Sequence, residues 1–90
     1  MPAEATIPIQ QDADILAARK AARQMAARLG FSSTDLALIA TAISEIARNI
    51  LVYAGRGEMT LEEASEPQRR GIVVIARDSG PGIADLEQAM

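Results

Sequence analysis

The run Gly71-Ile72-Val73-Val74-Ile75-Ala76-Arg77-Asp78 constrains this chain more than any other segment. Ile72 to Ala76 is apolar without interruption. A strand made from it has no polar face to turn to water, so it has to be central, packed on both sides or lying under helices. It runs directly into Asp78-Ser79-Gly80-Pro81-Gly82, an acid followed by residues that favour a turn. Such a strand needs helices to cover it, and the preceding part of the chain supplies two.

The first helix is expected from Ile15 to Leu29, with Asp12 or Asp14 placed to cap it and Gly30 to stop it. Ile15, Ala18, Ala22, Met25, Ala26 and Leu29 recur at helical spacing and form its inner stripe. Arg19, Lys20, Arg23 and Arg28 fill the rest of its surface, either as a solvated face or as a docking surface for an acidic partner. Ser32 and Asp35 have the spacing of a capping box. The second helix then runs to about Ala54, where Gly55 ends it. Its core stripe is Leu36, Ile39, Ala40, Ile43, Ile46, Ala47 and Ile50.

Thr6-Ile7-Pro8-Ile9 is at most an edge strand, because Pro8 cannot donate to a ladder. Met59-Thr60-Leu61-Glu62 is a candidate strand, Ser65 to Arg70 around Pro67 a polar loop, and Ile83 to Met90 the start of a third helix. The expected fold class is α+β, a two-layer arrangement with helices on one face of a sheet.

Composition narrows the chemistry. The 90 residues, enough for one domain, are 49% hydrophobic but only 2% aromatic, so the core is aliphatic. Net charge is −3, with no basic excess to suit a nucleic acid. There is no cysteine and no histidine, which excludes disulfides, thiolate chemistry, imidazole catalysis and His-ligated metals. No leader pattern and no run of eighteen uninterrupted apolar residues is present, so a cytoplasmic domain without a membrane partner is expected.

Glu45 and Asn49 lie more than about 100° from the centre of the second helix's core stripe and share one face, four residues apart. Their neighbours there are Leu38, Thr41, Ala42 and Val52, an oddly apolar set for a face turned to water. The helix is therefore covered on two sides, or covered on one and lining a pocket on the other. Glu45 and Asn49 read as ordinary surface residues, or as a general base and an amide oxygen for Mg²⁺. Asp78 reads as part of a tight turn, or as an acceptor for an exocyclic amine such as that of adenine. In the second case Gly80 and Gly82 let backbone approach the ligand. Gly55 and Gly57 read most simply as turn residues.

Taken together, Thr41-Ala42-Ile43-Ser44-Glu45-Ile46-Ala47-Arg48-Asn49-Ile50 resembles the N box of the GHKL ATPase/kinase superfamily, and Asp78-Ser79-Gly80-Pro81-Gly82-Ile83 resembles its G1 box. Tyr53-Ala54-Gly55-Arg56-Gly57 and the strand Ile72 to Asp78 narrow the resemblance to RsbT-type switch kinases of the stressosome, serine/threonine protein kinases related to anti-sigma factors. The resemblance covers nearly the whole chain. It implies a Bergerat fold, an α/β sandwich binding Mg²⁺-ATP between helices and sheet. By position it implies Glu45 as catalytic base, Asn49 as Mg²⁺ ligand, Asp78 as the adenine anchor, and Gly80 and Gly82 as the G1 glycines. The partners it implies are STAS-domain scaffold or antagonist proteins and a downstream phosphatase or other effector.

Members of that family continue into an ATP lid, a second glycine-rich box and further sheet and helix, so residues 1–90 are expected to be a partial kinase domain, incomplete at the C-terminus. Without the phosphate cradle, weak nucleotide binding is expected. A sheet short of strands exposes an edge, so oligomerisation or strand exchange through that edge is also expected. Two other functions stay open: a non-catalytic partner-switching or anti-sigma binding module, and a hydrolase or histidine-kinase-type ATPase with the same boxes.

Overall fold

The structure is a computed structural model and describes residues 4–64, 71–78 and the backbone of 86–89. Its elements run β1 (Glu4–Ile9), α1 (Asp12–Arg28), α2 (Ser33–Ala54), β2 (Gly57–Glu63), β3 (Ile72–Asp78) and β4 (Leu86–Ala89). The four strands form one antiparallel sheet in the order β1-β2-β3-β4. Both helices lie on one face of it, α1 against β1 and α2 against β2 and β3. The two-layer α+β architecture is the expected one.

Local chemistry sets the helix ends. Asp14 Oδ2 accepts from the backbone N–H groups of Gln10 at 2.8 Å and Gln11 at 3.1 Å, satisfying donors that the first turn of α1 leaves without partners. Gln11, not Asp12 or Asp14, is the N-cap residue. At the other end Gly30 takes φ 85°, and the N–H groups of Gly30 and Phe31 donate back to Ala27 and Ala26 in a Schellman closure. Ser32 Oγ caps α2 by accepting from the Asp35 N–H at 3.2 Å. Gly55, at φ 81°, closes α2 through an N–H bond to Leu51.

The core lies between the layers. Ala18, Ala22 and Ala26 on α1 and Ala40 and Ala47 on α2 are fully buried, so small side chains let the two helices pack closely. Ile9, Met25, Ile43, Met59, Leu61, Ile72 and Val74 fill the space beneath them. Each contributes about 1.5–3 kcal/mol by leaving water. No polar or charged side chain is buried among the described residues, so Glu45, Asn49 and Asp78 sit at the rim of an apolar core.

β3 is an inner strand with neighbours on both sides, as its apolar run requires. Its burial alternates, with Ile72, Val74 and Ala76 under the helices and Val73 and Ile75 half-buried on the other face. β1 is an edge strand, with Pro8 opposite Glu58. The expected third helix from Ile83 is not found over Leu86–Ala89, which instead pairs with Val73–Ala76 as β4. A single short segment gains little from helix nucleation, whereas the free edge of β3 offers a row of ladder partners. The remainder of that expected helix, and the Pro67 loop, lie outside the described residues.

α2, with 22 residues, has the length and apolarity of a membrane span, the mean hydropathy of its 18-residue window being 1.5. Its inner stripe, however, packs on α1 and the sheet.

Candidate functional site

Asp78 is the last residue of β3 and falls on the same side of the strand as Ile72, Val74 and Ala76, the side facing the helices. Directly opposite it in the ladder is Gly57, the first residue of β2. No side chain fits at Gly57: a Cβ there would run into the carbonyl oxygen of Arg77, and would come within 2.8 Å of both the Asp78 Cα and Ile50 Cγ2. Ile50 of α2 thus sits over Gly57, and Asn49 is the next residue back along the helix. This contact joins the helix that carries Glu45 and Asn49 to the strand end that carries Asp78.

Glu45 and Asn49 are both exposed on α2, one turn apart. Residues so spaced have Cβ atoms about 5–6 Å apart. Of their neighbours, Leu38 is 64% and Val52 66% exposed, Thr41 is exposed and Ala42 is half-buried. Among the described residues, then, α2 is covered on one side only, and the apolar face around Glu45 and Asn49 is open. Ser44, between the stripes, donates its hydroxyl to the Ala40 carbonyl at 2.8 Å and is occupied within the helix.

A recess of about 340 Å³ opens at the Asp78 end of the sheet, lined by Gln10, Arg56, Gly57, Arg77 and Asp78 among others. Glu45 and Asn49 do not line it. Arg77 lies 3.9 Å from Glu58 on the sheet's outer face, an exposed pair that adds little stability. Gly80 and Gly82 lie outside the described residues. The sequence reads Gly57 only as a turn residue, yet it is the position that lies under Ile50 of α2 and opposite Asp78.

No group of three or more acidic side chains stands together as a metal cage among the described residues. A single amide oxygen at Asn49 suits magnesium that arrives with phosphates, because that ion keeps most of its positions for waters and phosphate oxygens. The donor set therefore fits a metal carried by the nucleotide.

Two helices cover one face of an antiparallel sheet, with Asp78 at a strand end and Asn49 on the covering helix. The profile described as "Histidine kinase-like ATPase domain" matches residues 9–90, and the chain belongs to that family. Among curated proteins, the chain is 44% identical over 87 residues to the serine/threonine-protein kinase RsbT of Bacillus subtilis (strain 168). That alignment covers 97% of this chain and 65% of the relative, so the chain spans a little under two thirds of the relative's length. No solved structure matches it.

Proposed function

We propose that this chain carries the adenine and magnesium half of an ATP-dependent serine/threonine protein kinase in a bacterial partner-switching system. The observation that supports this best is the Ile50–Gly57–Asp78 contact, which sets the residue after Asn49 close to the strand end that carries Asp78. Asp78 accepts a hydrogen bond from the adenine amino group, and Gly80 and Gly82 leave room for the base and its phosphates. Asn49 holds Mg²⁺, which when bound neutralises phosphate charge. Glu45 takes the proton from the attacking serine or threonine hydroxyl. Phosphoryl transfer asks mainly for positioning and charge neutralisation, which is what a rigid helix and a strand end can provide.

The substrates in this reading are STAS-domain regulators in the cytoplasm, and phosphorylation frees the kinase to engage a downstream phosphatase or other effector. The 44% identity to a serine/threonine kinase supports a kinase over a hydrolase. The test is transfer of labelled γ-phosphate from Mg²⁺-ATP to a STAS-domain protein by a full-length version that includes the ATP lid and second glycine-rich box, with Glu45 or with Glu45→Ala. Transfer by the parent and a loss of about 10²–10⁴-fold in the variant is expected, with partner binding retained in both. Equal transfer by the two removes Glu45 from the chemistry. Partner binding without any transfer by the parent would favour the non-catalytic switching module.

A further inference from the structure

Leu16 projects from α1 with 66% of its surface exposed, while Ile15 and Met25 of the same helix are buried in the core. Arg19, Lys20 and Arg23 follow it at i+3, i+4 and i+7 and so share its face. Together with Leu16 they line a shallow groove of about 500 Å³. On its α2 side Leu16 also borders a second groove of about 470 Å³, with Arg48 and Val52 on the far wall. Val52 is likewise 66% exposed. The result is two apolar knobs among four cations, with one carboxylate, Asp12, at the edge of the second groove.

Those cations have not been neutralised. Among the described residues Arg19, Lys20, Arg23 and Arg48 form no ion pair. The chain as a whole carries a net charge of −3, so this patch runs against the average. Fixed positive charge around an exposed apolar side chain is complementary to carboxylates around an apolar pocket, an arrangement that speeds encounter and fixes register. A bilayer is a poorer match: an interfacial helix needs a continuous apolar face, and that of α1 is turned into the core.

We propose that the Leu16–Val52 patch is the docking surface for an acidic protein partner. Val52 lies two helical turns beyond Glu45 on nearly the same face of α2, a rise of about 10 Å. A partner seated on Leu16 and Val52 therefore extends to Glu45. This last point rests on the kinase reading; the docking surface itself does not.

The probe is a fluorescein-labelled amphipathic helix of leucine and glutamate, titrated with the full chain and read by anisotropy at low and raised salt. Vesicles of phosphatidylcholine and phosphatidylglycerol form a second arm. The peptide is expected to bind, more weakly as salt rises, and Leu16→Glu or the pair Arg19→Glu and Arg23→Glu should weaken it about tenfold or more. All three positions are exposed, so the circular dichroism spectrum should not change. Peptide binding undiminished by these changes overturns the proposal, as does no binding by the parent chain. Vesicle binding in the absence of peptide binding also overturns it, in favour of a membrane. Peptide binding retained by Glu45→Gln, with no phosphoryl transfer by a full-length version that includes the ATP lid and second glycine-rich box, upholds the docking surface while sinking the kinase reading.

Discussion

Gly57 faces Asp78 across the β2–β3 ladder with no volume for even one added carbon, because the Arg77 carbonyl and the Asp78 Cα crowd it from the ladder and Ile50 of α2 lies above. The strand end and the helix turn behind Asn49 are thus held together by the absence of a side chain. Gly57→Ala should therefore move β3 or α2. Overpacking of this kind costs about 1–3 kcal/mol. Urea denaturation is expected to show that loss, with nucleotide affinity falling in parallel. An unchanged midpoint would mean that neither element depends on the contact.

Asp78→Asn keeps the side-chain shape and removes the charged acceptor. If Asp78 anchors the adenine amine, ADP affinity should fall by about tenfold to a hundredfold, the equivalent of about 1–3 kcal/mol for a lost buried partner. Calorimetry with ADP measures this, and equal affinity for the variant would place the base elsewhere.

Glu45 is exposed and makes no hydrogen bond or ion pair among the described residues. Glu45→Ala should leave stability within about 0.5 kcal/mol of the parent. Phosphoryl transfer should drop by about 10²–10⁴-fold, the usual worth of a positioned general base. Thermal denaturation and a transfer assay on the same sample separate the two effects.

Met25 and Leu16 offer a contrast on one helix. Met25, at 1% exposure, sits in the core, and Met25→Ala should cost about 2–5 kcal/mol. Leu16→Ala should cost less than about 0.5 kcal/mol, because its side chain already lies in water. Comparable losses at both sites would mean that α1 packs by a different face.

Much of this was legible in the sequence because the signals are local. Ser32 with Asp35, Gly30 and Gly55 mark helix ends through bonds spanning three to five residues. The run Ile72–Ala76 could only be an inner strand. Leu86–Ala89 reads as helix because Leu, Glu, Gln and Ala are helix formers, and the edge of β3 that recruits them lies ten to sixteen residues back. Gly57 was undervalued for the same reason: the atoms that forbid its side chain belong to Ile50, Arg77 and Asp78, which a local view does not join. Glu45, Asn49 and Asp78 were found as residue types in family-like order; that α2 is open around Glu45 appears only in the fold.

The central claim is that Asn49 and Asp78 belong to one adenine and magnesium site. Amide chemical shifts followed during titration with Mg²⁺-ADP test it most directly, since they report even weak binding residue by residue. Asn49, Gly57 and Asp78 are expected to shift together along a single binding curve, and omitting Mg²⁺ to diminish the Asn49 shift more than that of Asp78. Shifts at Asp78 with Asn49 unmoved, or no shift at either, would contradict it.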